Sequence, residues 1–172
     1  NANLIESAIT NKTKAIMPVH WTGRVCDMDK ILKIAKKYNL IVIEDAAQSM
    51  GSYYKKKHAG TFGKISAFST HPLKNLNALG DGGFIVTNDK RIYDKIKLYR
   101  NHGLRGRDQV EIIGVNSRLD SLNAEVLNFR LKRLNNIISR RQKNVNFYRT
   151  GINKNQILSW FFSGNSLIFF II

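Results

Sequence analysis

The stretch that decides the fold is Leu40-Ile41-Val42-Ile43-Glu44-Asp45, at residues 40–45. Four apolar residues in a row are typical of a parallel strand that is buried on both faces. The helix before this strand begins after Asp27, a good N-cap residue, and ends at Asn39. Its apolar residues recur at helical spacing, at Met28, Ile31, Leu32, Ala35 and Tyr38. A helix that leads into a buried strand predicts a βαβ arrangement.

The rest of the chain continues this alternation of strands and helices. Further short strands are predicted over 15–20, 65–69 and 82–87. A helix from about Asp89 has Ile92, Ile96 and Tyr99 facing inward, and 105–116 is predicted as a loop. A long helix is then predicted from Asp120 to about Tyr148, with an apolar face of Leu127, Leu131, Leu134 and Ile138. We therefore predict an α/β fold with a mostly parallel sheet, followed by a long helix.

The composition is that of a globular protein. The chain has 172 residues, of which 43% are hydrophobic and 23% are charged, and this length fits one ordinary domain. These values exclude collagen-like, coiled-coil and low-complexity chains. The single cysteine, Cys26, excludes an internal disulfide framework and a cysteine-based zinc cluster. A reducing cytoplasm is therefore the expected location.

The positive charge is concentrated toward the C-terminal end. The net charge is +16, and eight bases follow the last acid, Glu125, without an acid to balance them. Such a stripe can bind phosphate backbones or an anionic membrane, and it can also be a solvated helix face. No aromatic residues alternate with these bases as a stacking platform requires, which argues against nucleic acid as a partner.

Residues 157–172 differ from the rest of the chain, because 11 of these 16 residues are apolar and none is charged. The run is interrupted at 163–166 and is shorter than the roughly 20 residues that span a bilayer, which argues against a membrane anchor. A truncated or out-of-frame end fits this segment better.

Polar side chains stand where the predicted strands end. His20, Asp45 and Ser69 lie at or just past the carboxyl edge of the sheet, where α/β proteins bind ligands. Asp45 follows four apolar residues, so its carboxylate should be partly desolvated and should need a cationic partner. Lys74 follows Ser69 by five residues, and a lysine in an apolar crevice can act as an amine nucleophile. A strand-end carboxylate with a loop lysine suggests a pyridoxal phosphate site.

Each of these residues also has a structural explanation. Asp45 can be a helix cap, Ser69 a strand-end hydroxyl and His71 a loop histidine, and Lys74 can be one exposed lysine among many. The turn Gly80-Asp81-Gly82-Gly83 can cradle a phosphate, although a tight turn is the commoner use of glycine.

A series of motifs in a fixed order adds a family resemblance to this interpretation. The motifs are Pro18-Val19-His20, Ile43-Glu44-Asp45-Ala46-Ala47-Gln48, Phe68-Ser69-Thr70-His71-Pro72-Leu73-Lys74-Asn75-Leu76, Gly80-Asp81-Gly82-Gly83, Val86-Thr87-Asn88-Asp89, Arg100-Asn101-His102-Gly103 and Asn116-Ser117-Arg118-Leu119-Asp120. The chain resembles the DegT/DnrJ/StrS-type sugar aminotransferases over about residues 1–150. That family has the fold of type I pyridoxal phosphate enzymes and aminates keto groups of nucleotide-linked sugars.

The resemblance implies a role for each matching residue. Lys74 would bind the cofactor covalently, Asp45 would pair with the pyridine nitrogen and Gln48 would contact the 3-oxygen of the ring. Ser69 would bind the cofactor phosphate, and His71 lies in the same motif without an assigned step. Asn116 would reach the cofactor of a neighbouring subunit, which implies a homodimer. Glutamate is the family's usual amino donor, and a nucleotide-linked keto sugar is the acceptor.

Departures from the family pattern limit what the resemblance implies. The family's large domain begins well upstream of residue 1, and residues 151–172 do not resemble its small domain. We therefore expect 1–150 to be part of the cofactor-binding domain and 151–172 to be an apolar tail of other origin. Lys55-Lys56-Lys57 replaces a glycine-containing turn of the family and should change only a surface hairpin. An inactive remnant of such an enzyme remains an alternative.

Overall fold

The computed structural model describes residues 1–154 and consists of eight short strands and four α-helices in this segment. The strands are β1 (Ala15–Ile16), β2 (Ile41–Asp45), β3 (Tyr53–Tyr54), β4 (Lys57–His58), β5 (Ile65–Ser69), β6 (Gly83–Val86), β7 (Leu104–Arg105) and β8 (Gln109–Val110). The helices are α1 (Met28–Lys37), α2 (Lys90–Tyr99), α3 (Ser121–Leu131) and α4 (Leu134–Lys154).

The main sheet has four strands in the order β1-β2-β5-β6. The pairs β1–β2 and β2–β5 are parallel, and β6 runs antiparallel to β5. Asp45 at the end of β2 is in register with Ala67 of β5, so the carboxyl ends of these strands lie side by side. The predicted α/β fold with a mostly parallel sheet is confirmed.

The helix and strand at the start of the chain follow the predicted pattern closely. Asp27 caps α1 by accepting a hydrogen bond from the Lys30 N–H at 3.4 Å. Met28, Ile31 and Ala35 are buried in one cluster with Val42 of β2. The prediction that β2 is buried on both faces is wrong, because Ile41 is 45% exposed on the face away from this cluster. Only one face of β2 packs against α1.

The predicted continuous helix from Asp120 to Tyr148 is instead divided into α3 and α4. The chain tightens into a turn between them, where the Arg133 N–H donates to the Arg130 carbonyl. The turn brings Leu134 into the same buried cluster as Leu127 and leaves Leu131 54% exposed. Packing of Leu134, rather than a helix-breaking residue, therefore accounts for the interruption.

Three smaller expectations also change. The strand predicted over 15–20 is confined to β1, and Val19 makes only an isolated bridge to Asp45. The predicted loop over 105–116 contains most of the hairpin β7–β8, from Arg105 to the end of β8, and the turn of this hairpin has Gly106 at a φ of +75°. Tyr99 is 48% exposed rather than inward-facing.

The C-terminal end of the described segment is the helix α4, which continues across residue 151 to Lys154. The apolar run at 157–172, and most of the segment predicted as a separate tail, lies outside the described residues. Among residues 1–154, no helix is both long and apolar enough to cross a membrane.

Candidate active site

The candidate site lies at the carboxyl ends of β2 and β5. Asp45 ends β2 and Ser69 ends β5, and the two strands are parallel neighbours. The loop after β5, which carries Lys74, is tied to the segment after β2, because the Asn75 side-chain amide donates to the Met50 carbonyl at 3.1 Å. Five of the six predicted site residues therefore belong to segments that meet at one edge of the sheet.

The Asp45 carboxylate is half-buried and has one hydrogen bond. Its Oδ1 accepts from the Ala47 N–H at 3.0 Å. The cationic partner expected for this residue is absent from residues 1–154, where Asp45 forms no ion pair with Lys, Arg or His. A carboxylate that is partly desolvated and lacks a cation can bind a cationic group of a ligand.

The side chain of Gln48 is oriented by the backbone of Thr22. The Gln48 Oε1 accepts a hydrogen bond from the Thr22 N–H at 2.7 Å. The amide NH₂ is therefore the end of the side chain that can donate to a ligand oxygen. Thr22 was not identified from the sequence, because its contribution comes from a backbone group and its positive φ of 55° has no signature in the residue type.

The loop with Lys74 is a compact turn built on its own polar groups. The Ser69 Oγ accepts from the His71 N–H at 3.2 Å, and the His71 Nδ1 accepts from the Leu73 N–H at 3.2 Å. The Lys74 N–H donates to the His71 carbonyl at 2.8 Å. Within the part of the chain that the structure describes, the half-buried Lys74 ammonium has no hydrogen bond or ion pair.

Helices α3 and α4 pack against this loop. Leu76 and Ala78, at 5% and 2% exposure, pack with Leu127 and Leu134. Arg130 donates to the carbonyls of the loop residues Asn77 and Ala78. The long C-terminal helices therefore contribute to the geometry of the lysine loop, and one of the bases predicted for a solvated face is part of this contact.

Asn116 is the predicted site residue that the structure does not bring to the others. Its side chain is exposed, and its Oδ1 accepts from the Arg118 Nε at 3.2 Å. Its backbone pairs with Asn101, after α2. No hydrogen bond joins Asn116 to the other five site residues in the described segment.

The glycine turn before β6 is a close-packing feature. A Cβ on Gly83 would lie 2.5 Å from the Phe68 carbonyl oxygen, and one on Gly82 would lie 2.8 Å from the Thr70 Oγ1. The Gly82 carbonyl accepts from the Thr70 N–H at 2.9 Å. These contacts explain both glycines by the close approach of β6 to the end of β5.

Beside the site lies a buried, hydrogen-bonded pair of side chains that the sequence did not reveal. His20 and Glu44 are both 0% exposed, and the His20 Nε2 lies 2.9 Å from the Glu44 Oε2. Burial alone would raise the pKa of Glu44, but hydrogen bonds from His20 and from three backbone N–H groups lower it. The available signal was the two-residue period of β2, which places Glu44 on the same face as the buried Val42.

The protonation state of the His20 ring is set by burial and by two hydrogen bonds. Burial lowers the pKa of His20, but its hydrogen bonds with Cys26 and Glu44 outweigh burial and raise the pKa to about 9, which taken alone would leave the ring charged at neutral pH. The Cys26 N–H donates to the His20 Nδ1 at 3.3 Å, and a doubly protonated ring would turn an N–H against this N–H. The contact geometry therefore favours the neutral ring with its proton on Nε2, donated to Glu44.

The groups at the sheet edge fit pyridoxal phosphate, which the motifs imply. An unpaired, half-buried ammonium and a carboxylate without a cation are the kinds of group that could bind its aldehyde and its ring nitrogen. The Ser69 hydroxyl accepts one hydrogen bond and keeps its own proton to donate to a phosphate oxygen. The NH₂ of Gln48 supplies a further donor.

Comparisons with known proteins identify the family of the chain. The model of the DegT/DnrJ/EryC1/StrS aminotransferase family matches residues 1–162. GDP-perosamine synthase of Escherichia coli O157:H7 is 44% identical over 151 residues, which cover 87% of this chain and 41% of that protein. The chain thus spans about two fifths of the length of the curated relatives it matches.

Two solved structures extend the comparison to the fold and the cofactor. An aminotransferase of this family from Brucella abortus superposes with a TM-score of 0.83 at 33% identity, over 90% of this chain and 43% of that one. NtdA from Bacillus subtilis, solved with bound pyridoxamine phosphate, gives a TM-score of 0.71 at 36% identity, over 78% of this chain and 31% of that one. Pyridoxal phosphate is the cofactor of this family, and the structure of NtdA contains its amino form. By its family match and its fold, this chain belongs to the DegT/DnrJ/EryC1/StrS aminotransferase family.

Proposed function

We propose that this chain carries the cofactor-binding part of a pyridoxal phosphate-dependent aminotransferase that acts on a keto group of a nucleotide-linked sugar. The observation that carries the proposal is that Lys74 and Asp45, two half-buried groups of opposite charge, belong to segments at one sheet edge and neither has an ionic partner in the described segment. The relatives that act on GDP-linked and dTDP-linked sugars support the substrate class.

Each residue of the site has a defined task in this proposal. When bound, pyridoxal phosphate supplies an electron sink that stabilises the negative charge left on a carbon after its proton is removed. Lys74 holds the cofactor and then takes and returns that proton at its Nζ. Asp45 keeps the ring nitrogen protonated through its carboxylate. Ser69 binds the phosphate, Gln48 donates to the ring oxygen, and His71 shapes the turn between them.

Glutamate is the amino donor in this proposal, and the free thiol of Cys26 is in keeping with a cytoplasmic location. Pre-incubation of the cofactor-loaded chain with L-glutamate should lower the amount of aldehyde that borohydride can fix on Lys74. A cofactor that had received the amino group, with the glutamate carbon skeleton released as 2-oxoglutarate, would have no aldehyde left for this reduction. D-glutamate is the matched control, and an equal decrease with both enantiomers would contradict glutamate as donor.

The test of the cofactor assignment is reductive trapping on the chain itself. The chain is mixed with pyridoxal phosphate, reduced with borohydride and digested, and the labelled peptide is found by mass spectrometry. We expect labelling confined to Lys74 and lost in Lys74→Arg. Lys64→Arg is the control, because Lys64 pairs with Asp89 at the opposite end of β5. This variant should leave the labelling of Lys74 unchanged. Labelling scattered over other lysines would remove the proposal and leave the inactive-remnant alternative.

We further propose a homodimer in which Asn116 reaches the cofactor phosphate of the neighbouring subunit. The exposed side chain of Asn116, without a hydrogen bond to the other five residues in the described segment, supports this assignment. The test mixes two variants, Lys74→Ala and Asn116→Asp. Only a mixed dimer has one site with both native residues, so the yield of label on Lys74 should rise on mixing. An unchanged yield would count against shared sites.

A further inference from the structure

The buried pair of His20 and Glu44 has no task in the proposed reaction, although it lies beside Asp45. Both oxygens of Glu44 are saturated. Its Oε2 accepts from the His20 Nε2 at 2.9 Å and the Gly60 N–H at 2.7 Å, and its Oε1 accepts from the N–H groups of Phe62 and Gly63 at 2.6 and 2.5 Å. A carboxylate with four donors has no site left for a ligand, so its role must be exerted on its neighbours.

Glu44 holds the ring of His20 in place. His20 in its turn anchors the turn at 21–26. The His20 N–H donates to the Asp45 carbonyl at 3.0 Å, and its carbonyl accepts from the Gly23 N–H at 3.3 Å. Its ring bridges Glu44 and the Cys26 N–H. Every polar atom of His20 is therefore used to fasten the turn at 21–26 to the end of β2.

This turn contains a strained residue that contacts the site. Thr22 has a φ of +55°, a conformation that costs a residue other than glycine about 1 kcal/mol or more. In this conformation its N–H reaches the Gln48 Oε1 at 2.7 Å. Gly23 lies against the same residue, since a Cβ on it would be 3.3 Å from the Gln48 carbonyl oxygen. Such strain persists only where the surrounding structure holds it.

We propose that His20 and Glu44 are positioning residues that hold the Thr22 N–H against Gln48 and so set the amide of Gln48 with its NH₂ toward the ligand. The proposal rests on the proposed function for the identity of that ligand, an oxygen of pyridoxal phosphate. The alternative is that the pair contributes stability alone and leaves the orientation of Gln48 unchanged.

The first measurement needs no cofactor. Amide hydrogen exchange of the Thr22 N–H is followed by NMR in the full 172-residue chain and in His20→Gln. The glutamine NH₂ can still donate to Glu44, but the shorter side chain then has no acceptor at the position of the ring Nδ1, which receives the Cys26 N–H. We expect protection of the Thr22 N–H to fall about tenfold relative to the amides of α1, as for loss of one buried hydrogen bond. His20→Ala, which removes the ring, should give a larger decrease.

The control for overall stability is Ile31→Val, which trims the core under α1 and removes none of the hydrogen bonds of His20, Glu44 and Thr22. It should lower protection of Thr22 and of α1 by the same factor. If His20→Gln also changes the two in parallel, the pair contributes stability alone and the proposal is overturned. If His20→Ala does not fold, His20→Gln decides by itself.

The second measurement ties the pair to the ligand. The dissociation constant of pyridoxal phosphate is measured for His20→Gln, Gln48→Ala and the double variant. We expect His20→Gln to weaken binding about tenfold in the native background and to have no further effect beside Gln48→Ala, because it acts through Gln48. Equal losses in both backgrounds would overturn the proposal even where cofactor binding stands. A chain that fails to bind pyridoxal phosphate contradicts the proposed function, whereas the exchange of Thr22 still decides the positioning role.

Discussion

Glu44 and Asp45 are adjacent carboxylates on one strand, and their surroundings are opposite. Glu44 is fully buried and accepts four hydrogen bonds, whereas Asp45 is half-buried and accepts one. The cause is the two-residue period of β2, which sends successive side chains to opposite faces of the sheet. One face belongs to the core under α1 and the loop at 60–63, and the other opens at the edge that carries Lys74.

The difference shows how one strand can provide both rigidity and reactivity. The backbone loop that saturates Glu44 can approach it only because Gly60 and Gly63 have no side chains. A Cβ on Gly60 would lie 2.3 Å from the Phe68 ring, and one on Gly63 would lie 2.6 Å from the Val42 carbonyl oxygen. On the other face Asp45 keeps most of its acceptor capacity. A saturated acid stabilises its neighbours, and an unsaturated acid is available to a ligand.

The largest effect should come from removing the charge of Glu44. In Glu44→Gln the new NH₂ group must face two N–H donors whichever way the amide turns, so buried donors lose their acceptor. We expect a loss of about 3 kcal/mol in the free energy of unfolding, measured by urea denaturation. Asp45→Asn is the matched control and should cost about 1 kcal/mol or less. Similar losses for the two variants would break the contrast between the faces.

The second-largest effect should come from disturbing the packing of α3 against the loop that carries Lys74. Leu127→Ala removes a buried side chain that packs with Leu76 and Ala78, so we expect a loss of about 2–3 kcal/mol and weaker labelling of Lys74 by borohydride. Leu131→Ala is the control, because Leu131 is 54% exposed and should cost little. A Leu127→Ala variant that loses stability but labels at Lys74 as well as the native chain would show that α3 does not shape the loop.

Much of this arrangement could be predicted from the sequence, because it depends on local patterns. The cap at Asp27, the period of α1 and the strand over 65–69 each follow from a few neighbouring residues. The motif with Lys74 identified the loop. The saturation of Glu44 and the hold on Gln48 could not be predicted, because their partners are backbone N–H groups of residues distant in sequence. The turn between α3 and α4 depends on whether Leu131 or Leu134 reaches the core, and the predicted apolar face contained both.

The third effect is a sensitivity to acid that belongs to the Glu44 face. The folded pKa of Glu44 lies below its ordinary value of 4.5. Its ionised form therefore contributes stability at pH values above the unfolded pKa, and this contribution is lost as the pH falls through the folded pKa. We expect the urea midpoint to fall below about pH 4.5. Glu44→Gln should flatten this part of the profile, whereas Asp45→Asn should leave the decrease below about pH 4.5 unchanged. The reverse result would assign the acid sensitivity to Asp45.

The smallest effect should be a gain in stability. It distinguishes backbone strain at the surface from the backbone strain at Thr22, which serves the site. The hairpin between β3 and β4 turns through Lys55 and Lys56, at φ values of +47° and +67°. Lys56→Gly relieves an unfavourable conformation at a surface position, so we expect about 0.5–1 kcal/mol of added stability, read as a higher melting temperature. Lys57→Gly, in strand β4, is the control and should lower it. Labelling of Lys74 should not change in either variant, because the hairpin leads to the loop that holds Glu44 and not to the face of Asp45. By contrast, relieving the strain at Thr22 with Thr22→Gly should not strengthen cofactor binding, since there the strained N–H is what holds Gln48.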